Sequence, residues 1–327
     1  MKFTRFPRLA TGLVAGALVL TACGGSNNDD AATEPGASES GNSSSELSGT
    51  VNIDGSSTVA PLSTAAAEFF AEEQSGVRVT VGTSGTGGGF EKFCAGETDI
   101  SDASRPIKED EEAPICADAG IEYVEIPVAN DALTVVVNTE NDWVDCLTTE
   151  QLKAIWEPGS KVNSWSDLDK SFPDEKLELF GPGTDSGTFD YFTDEINGEE
   201  GASREDYSPS EDDNVIVQGV SGSNGGLGYF GFTYYEENSD SLKALEIDSG
   251  AGCVAPSAET ARDGSYTPLA RPLFIYPSKA ALDKPEVKAF LDFYLENDAE
   301  IAEAAQFIPL SDDQKAEAQS AFDTFAG

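Results

Sequence analysis

Histidine is absent from all 327 residues of this chain, and methionine occurs once. Without histidine, the chain lacks the usual general base and the Ser-His-Asp and Cys-His arrangements of hydrolytic enzymes. The five cysteines include no CxxC pair, so the spacing typical of zinc sites is missing as well. We therefore expect a protein that is not an enzyme and that carries no metal or other cofactor.

Basic residues are scarce: 19 lysines and arginines stand against 60 aspartates and glutamates, which gives a formal net charge of −41. Such a chain repels a nucleic-acid backbone, so nucleic acid is excluded as a partner. The acidic residues are spread along the chain, which is typical of a solvated acidic surface. Any site for a negatively charged ligand must therefore depend on local groups that outweigh the overall field.

Long apolar runs are also missing. The apolar run near the N-terminus, residues 9–20, is shorter than the about 20 residues that cross a membrane, and it follows the basic segment "MKFTRFPR". It ends in "LTAC", which resembles a lipobox. We expect residues 1–22 to be a lipoprotein signal peptide and Cys23 to be lipidated, so that lipid alone anchors the protein to the outer face of the cell membrane. The alternative is an ordinary signal peptide that is cleaved nearby.

Residues 23–48 are rich in glycine, serine, asparagine and acidic residues, and Leu47 is their only large apolar residue. Such a composition cannot bury enough surface to offset its ordering entropy, so we expect a flexible spacer. The remainder of the chain is long enough for a sizeable core and for two lobes.

Four cysteines remain once Cys23 is set aside: Cys94, Cys116, Cys146 and Cys253. An even number in an exported protein suggests two disulfides, for which three pairings are possible. We favour Cys94–Cys116 with Cys146–Cys253. The first two cysteines are close in the sequence, and the two lobes expected below separate the pairs.

Segments typical of strands alternate with segments typical of helices, which predicts an α/β fold with mostly parallel sheets. Three times a strand is followed by a small polar loop and a helix, at "DGSSTVAP", "GTSGTGGGF" and "GPGTDSGTF", and "SDASRP" adds a fourth loop. These loops offer hydroxyl groups, unobstructed backbone N–H groups and helix N-termini, which suit a tetrahedral oxyanion.

The alternative for these loops is that their small polar residues only cap helices, as in an adhesive or structural protein. None of the loops matches a P-loop or a GxGxxG pattern, so nucleotide binding is not supported. Arg105 is the only arginine within one of them. A guanidinium can grip a tetrahedral oxyanion through two hydrogen bonds, so we assign Arg105 as the cation of the site, with a surface ion pair as the competing interpretation.

Four segments resemble, in this order, the phosphate-binding lipoproteins of bacterial Pst-type ABC transporters: "DGSSTVAPL", "SGTGGGFEKFCAGETDISDASRPI", "GPGTDSGTFDYF" and "GGLGYFGFTYY". The resemblance covers nearly all of residues 50–310. It implies a two-lobed periplasmic-binding-protein fold of type II, which closes like a hinge on inorganic phosphate and delivers it to an ABC permease. Lobe I would comprise residues 49–130 and 272–327, and lobe II residues 131–271. We expect a monomer.

The phosphate ligands that this resemblance implies lie in the first three loops. They are Ser57, Thr58 and the Val59 N–H, then Ser84 or Thr86, and then Ser186, Gly187 and Thr188. Extra residues in the second loop leave the choice between its two candidates open.

Two positions depart from the family pattern. Ser104 stands where the family has an aspartate that accepts the proton of phosphate, and Pro182 stands where it has an arginine, so that Arg105 supplies the cation instead. Sulfate has no proton to donate, and its rejection therefore needs another unpaired acceptor in the cleft. Asp185 and Asp102 are the candidates, and we favour Asp185.

The leading hypothesis is thus capture of phosphate without chemistry. One alternative is the same fold with another tetrahedral oxyanion, such as sulfate or a phosphate ester. Another is a secreted phosphatase with Ser186 or Ser57 as nucleophile. The missing histidine and the lack of an evident metal cluster in the sequence argue against the phosphatase.

Overall fold

The structure of the chain is a computed structural model, and it describes residues 47–327. The expected signal peptide, the lipidation site Cys23 and the spacer up to residue 46 lie outside these residues. Leu47 packs against the core, and its backbone N–H donates to the Gln74 side chain at 3.3 Å, so the fold includes the end of the expected spacer. Within residues 47–327, no helix has the length and apolar character that a membrane crossing requires.

Twelve strands and twelve α-helices form in the described part of the chain. The strands are β1 (Gly49–Gly55), β2 (Val77–Thr83), β3 (Ile100–Ala103), β4 (Ile126–Asn138), β5 (Cys146–Thr148), β6 (Glu178–Pro182), β7 (Ser208–Ser210), β8 (Gly226–Gly231), β9 (Leu242–Ala244), β10 (Glu246–Asp248), β11 (Cys253–Val254) and β12 (Ala270–Pro277). The helices are α1 (Ala60–Glu73), α2 (Gly85–Cys94), α3 (Ala113–Asp118), α4 (Thr149–Trp156), α5 (Trp165–Leu168), α6 (Gly187–Phe192), α7 (Asp213–Ser221), α8 (Phe232–Asn238), α9 (Ala258–Arg262), α10 (Pro285–Glu296), α11 (Asp298–Ala304) and α12 (Asp312–Ala326). A π-helical turn (Thr193–Asn197) continues α6, and a 3-10 turn (Ala281–Asp283) precedes α10.

Nine strands form one mixed sheet, in the order β2–β1–β3–β12–β4–β8–β6–β7, with β9 also paired to β4. Strand β1 pairs in parallel with β2 and β3, and β6 pairs in parallel with β7 and β8. Between these two parallel groups, β12 runs antiparallel to β3 and β4, and β4 runs antiparallel to β8. The predicted α/β fold is confirmed, but an antiparallel centre joins the two parallel groups, so the sheet is mixed.

Strand β4 joins the two parallel groups because it is long enough to have two sets of neighbours. The segment from Ile126 to Ala132 pairs with β12, and the segment from Leu133 to Val137 pairs with β8. All but one of its residues are buried. The register with β12 places Arg271 beside Asp131, so two charged residues meet at the centre of the sheet.

Two large hydrophobic cores lie on either side of this centre. The first core is drawn from residues 51–129 and 273–322, and it surrounds β1, β3 and helices α1 and α10. The second core is drawn from residues 132–269, with Ile308 added, and it surrounds β6, β8 and helices α4 and α6. Each core therefore supports one of the two parallel strand groups.

Each of the two disulfides joins two secondary-structure elements. Cys94 at the end of α2 is bonded to Cys116 in α3, and Cys146 in β5 is bonded to Cys253 in β11. This is the pairing favoured from the sequence. The first bond lies within a separate small cluster of buried residues that includes Phe90, Phe93 and Tyr276, and the second holds the small sheet β11–β10–β5 together.

Helix α2 begins earlier than expected, because it starts at Gly85 and includes glycines that the sequence assigned to a loop. The reason is close packing. A Cβ added at Gly89 would lie 2.5 Å from the Gly55 Cα of β1 and 3.0 Å from the Ser101 hydroxyl, so only glycine lets the helix approach the strand this closely.

We therefore expect Gly89→Ala to destabilise the protein by about 1–3 kcal/mol, because the added methyl group must push α2 away from β1. Gly87→Ala is the matched control in the same helix, since its Cβ would have ordinary contacts at 3.8 Å or more. Urea unfolding of both variants tests this. Equal midpoints for the two variants would contradict the packing argument.

Candidate functional site

A cleft of about 540 Å³ is lined by the loops after β1, β2 and β3, by helix α6 and by the start of β12. Seven of the eleven residues predicted for the site line this cleft: Ser57, Thr58, Ser84, Thr86, Ser104, Arg105 and Gly187. Four do not line it: Val59, Asp185, Ser186 and Thr188. The structure thus brings the small polar loops together, although several of their residues face elsewhere.

The first loop, between β1 and α1, is fixed by its own hydrogen bonds. The Ser56 N–H donates to the Asp102 carbonyl at 2.9 Å, and the Val59 N–H donates to the Ser56 hydroxyl at 3.4 Å. Val59 is fully buried, and its N–H is used inside the loop. The resemblance implied that this N–H would face the cleft, and it does not. Ser57 and Thr58 remain at the cleft surface.

The second and fourth loops meet through their hydroxyl groups. The Ser84 hydroxyl donates to the Asp54 carboxylate, so its proton is already committed. Thr86 Oγ1 accepts the Ser104 N–H at 3.2 Å and lies 3.1 Å from Ser104 Oγ. The sequence left Ser84 and Thr86 as alternatives, and this geometry favours Thr86 as a donor to a ligand.

Arg105 lines the cleft, but its guanidinium is paired. It donates to both oxygens of Glu112, at 2.7 and 2.8 Å, and to the Pro106 carbonyl at 3.0 Å. The side chain is 35% exposed. Arg105 therefore lies in the cleft wall and also forms an ion pair that neutralises much of its charge.

Helix α6 and the π-helical turn present one polar stripe to the cleft. Gly187, Asp190, Tyr191, Asp194 and Glu195 all line it, and their spacing of three and four residues is that of one helix face. The sequence analysis followed only the apolar residues of this segment, and it therefore missed the polar residues that recur with the same period and face the cleft.

Asp185, the acceptor favoured from the sequence, does not line the cleft. Asp185 is exposed outside the cleft, and its backbone N–H donates to Glu211 at 3.4 Å. Because α6 begins at Gly187, the residues before it belong to a turn outside the helix face that lines the cleft. Ser186 caps the helix by accepting the Thr188 N–H at 3.2 Å, and Thr188 borders a separate small cavity.

Gly187 is the point where α6 approaches the first loop most closely. A Cβ at this position would lie 2.5 Å from Thr58 Oγ1 and 3.2 Å from the Thr58 backbone nitrogen. The glycine predicted from the sequence is therefore required for contact between the two cleft walls, beyond any hydrogen bond that it offers to a ligand.

Arg271 is a charged residue of the cleft that sequence reasoning missed. Its guanidinium lies 3.6 Å from the centre of the Tyr191 ring, its Nε donates to Asp131 at 3.3 Å, and one Nη donates to Thr58 Oγ1 at 3.2 Å. The side chain is only 15% exposed. The available signal was an arginine near the start of the strand segment "LARPLFIYP", in a chain with few arginines.

Two carboxyl groups near the loops have pKa values above the ordinary value of an aspartate. Burial, together with the nearby charge of Glu200, raises the pKa of Asp190, while Arg271 opposes this shift. Burial raises the pKa of Asp102 to about 7, and a hydrogen bond from Ser63 opposes the shift. Asp190 lines the cleft, whereas Asp102 is wholly buried behind the first loop, so of these two only Asp190 can touch a ligand.

The described residues include one close group with ligand atoms suited to a metal: Cys146, Glu246 and Cys253. Its two sulfur atoms are bonded to each other. A disulfide offers no thiolate, so this group lacks the ligands of a zinc site.

Comparison with known proteins assigns the chain to a family. A family model described as "PBP superfamily domain" matches residues 40–298. Protein SphX of Synechocystis is 48% identical over 272 residues, which are 82% of this chain and 81% of that protein. The phosphate-binding protein PstS of Staphylococcus saprophyticus is 41% identical over 319 residues, which are 97% of this chain and 94% of that protein. The chain belongs to the PBP superfamily.

The fold agrees with this assignment. The crystal structure of a possible phosphate binding protein from Planctomyces limnophilus is similar with a TM-score of 0.81 and 47% identity, and the match covers 85% of this chain and 99% of that chain. The family resemblance seen in the four sequence segments is thereby confirmed. In this PBP superfamily member, the cleft lies at the antiparallel centre of the sheet, between the two cores.

We expect Asp102→Asn to change how stability depends on pH. The unfolded chain releases the Asp102 proton near the ordinary pKa of 3.8, whereas the folded protein keeps it until about pH 7. The free energy of unfolding of the parent protein should therefore fall as the pH rises through this window, relative to the asparagine variant. Urea unfolding from about pH 4 to about pH 8 measures it, and parallel pH profiles would contradict it.

Proposed function

We propose that this protein captures inorganic phosphate in the cleft and delivers it to an ABC permease without performing chemistry. The observation that carries this proposal is the convergence of hydroxyl groups from three loops with two arginines on one cleft. The names of the relatives support it, since PstS of Staphylococcus saprophyticus is a phosphate-binding protein. Such donors suit a small tetrahedral anion, which accepts hydrogen bonds from all sides.

Within the proposed site, Arg271 is the principal cation. Its Nη1 forms no hydrogen bond among the described residues, so the guanidinium keeps a donor for a ligand although its Nε is paired with the buried Asp131. Arg105 is a second, more strongly neutralised cation on the same cleft. Thr58, Thr86 and backbone N–H groups at the start of α2 would complete the ligand set.

Asp190 takes the role of proton acceptor that the sequence assigned to Asp185. It lies on the cleft-facing stripe of α6, and burial raises its pKa, so it already favours sharing a proton. Phosphate can donate a proton to this carboxylate, whereas sulfate cannot. An unpaired carboxylate facing the ligand would therefore weaken sulfate binding.

The phosphatase alternative finds no support in the serines considered for it. The Ser186 hydroxyl accepts the N–H of Thr188 and lies outside the cleft lining. Ser57 lies in the cleft beside hydroxyl groups, and no histidine is present in the chain to act as its base. Binding without turnover is the simpler proposal.

We also propose how the protein is anchored and how its two lobes move. A lipid on Cys23 would hold the protein at the outer face of the membrane as a monomer, and residues 49–130 with 272–327 would close against residues 131–271. The division between the two cores supports these lobes. Strands β4 and β12 contain the boundaries between the two proposed lobes, so these strands would form the hinge.

We expect Arg271→Ala to weaken phosphate binding by about 2–5 kcal/mol, because it removes the principal cation from a desolvated anion. Arg105→Ala should cost less, since Glu112 already offsets that charge. Arg78→Ala is the matched control, because it removes the same charge from an exposed position on β2. Titration calorimetry measures all three. Tighter binding of sulfate than of phosphate by the parent protein, or equal affinities of the Arg271 and Arg78 variants, would overturn the proposal.

Asp190→Asn is expected to narrow the difference in affinity between phosphate and sulfate. The amide is neutral, so it repels sulfate less than a carboxylate does, and its N–H groups can donate to the anion. Competition between the two anions in calorimetry tests this. An unchanged ratio of the two dissociation constants would show that another group discriminates.

A further inference from the structure

Asp102 is a buried carboxyl group that the proposed ligand contacts do not use. The residue is fully buried; its Oδ1 accepts from the Ser63 hydroxyl at 2.8 Å, and its Oδ2 has no hydrogen-bond partner among residues 47–327. A buried carboxylate is costly unless a cation or several donors compensate it. With a single donor, the neutral acid fits these surroundings better than the ionised form.

The groups around Asp102 favour the same form. From β1 the Asp54 carboxylate opposes its ionisation, and Lys92 of α2 pairs with Asp54 at 2.7 Å. The buried Tyr294 hydroxyl of α10 is a further neighbour, and the charge of an ionised Asp102 opposes the ionisation of this hydroxyl. On β12, the residue paired with Asp102 is Ile275. Within the described chain, no lysine or arginine forms an ion pair with Asp102.

Asp102 also supports the first loop of the cleft. Its backbone carbonyl accepts the Ser56 N–H, and the Ser63 that bonds its side chain belongs to α1, which follows the loop. The carboxyl group therefore lies behind the segment that carries Ser57 and Thr58. Buried protein lies between this group and the cleft, and there charges are screened less than in water.

We propose that Asp102 is a positioning residue of the anion site that is protonated when the cleft is occupied, so that anion binding at neutral to alkaline pH takes up a proton. This inference rests on the proposed function. An ionised Asp102 would repel the anion through the protein interior, whereas the neutral acid would not. Because coupling is reciprocal, the anion strengthens proton binding by Asp102 as much as the proton strengthens anion binding.

The pKa of Asp102 agrees with this geometry. In the free protein, burial raises the pKa of Asp102 to about 7, so its charge changes within the neutral range. Below this pH the group is already neutral and has no effect on affinity. Above it the group is ionised, and part of the free energy of anion binding is used to protonate it, so affinity falls as the pH rises.

Titration calorimetry with inorganic phosphate tests this on the parent protein and on Asp102→Asn, from about pH 6 to about pH 8.5. Phosphate changes its own protonation in this range, but equally for both proteins, so the ratio of their dissociation constants isolates Asp102. We expect equal affinities at the acidic end and binding by the parent at least about fivefold weaker than by the variant at the alkaline end. In buffers of different ionisation enthalpy, the parent should take up more protons per anion than the variant at alkaline pH.

A ratio that does not change with pH would overturn the role of Asp102 and leave the proposed function intact. Absence of phosphate binding by both proteins at every pH would overturn the proposed function and this inference with it. Should Asp102→Asn fail to fold, Ser63→Ala provides a second test. It removes the hydrogen bond that favours the ionised form, so the fall in affinity should move to higher pH, and an unmoved profile would contradict the proposal.

Discussion

The contacts of the Arg271 guanidinium join the parts of this molecule that must act together. One side chain on β12 contacts Asp131 on β4, Tyr191 on α6 and the hydroxyl of Thr58 in the first loop. The two strands belong to the antiparallel centre, and the other two contacts belong to opposite walls of the cleft. Because a buried guanidinium needs partners on several sides, the arginine fixes the relative positions of all three elements.

This arrangement explains how a chain of net charge −41 can offer a site to an anion. Two arginines face the cleft, and each is partly balanced by a buried or half-buried carboxylate rather than by the acidic surface. Charges at the surface are screened by salt over distances of about 10 Å, whereas charges in the cleft wall interact through protein. The local groups therefore decide binding, and the acidic exterior mainly affects solubility and the rate of encounter.

Much of the fold could be predicted from the sequence, because alternating strands and helices follow from local patterns. The loops at Ser57, Thr86 and Gly187 were found for the same reason, since small polar residues before a helix are a local signal. Arg271 and Asp190 could not be found in this way. The role of Arg271 depends on the register between two strands far apart in the sequence, and that of Asp190 on which face of a short helix is turned inward. A local pattern fixes neither quantity, and for the same reason it could not show that Asp190 lines the cleft and Asp185 does not.

The bond between Cys146 and Cys253 has a consequence outside ligand binding. These cysteines are 107 positions apart, and they enclose α6 and most of the second core. A protease that cut a surface loop anywhere between them would leave two fragments that are still covalently linked. A single nick in this region therefore cannot release a piece of the protein.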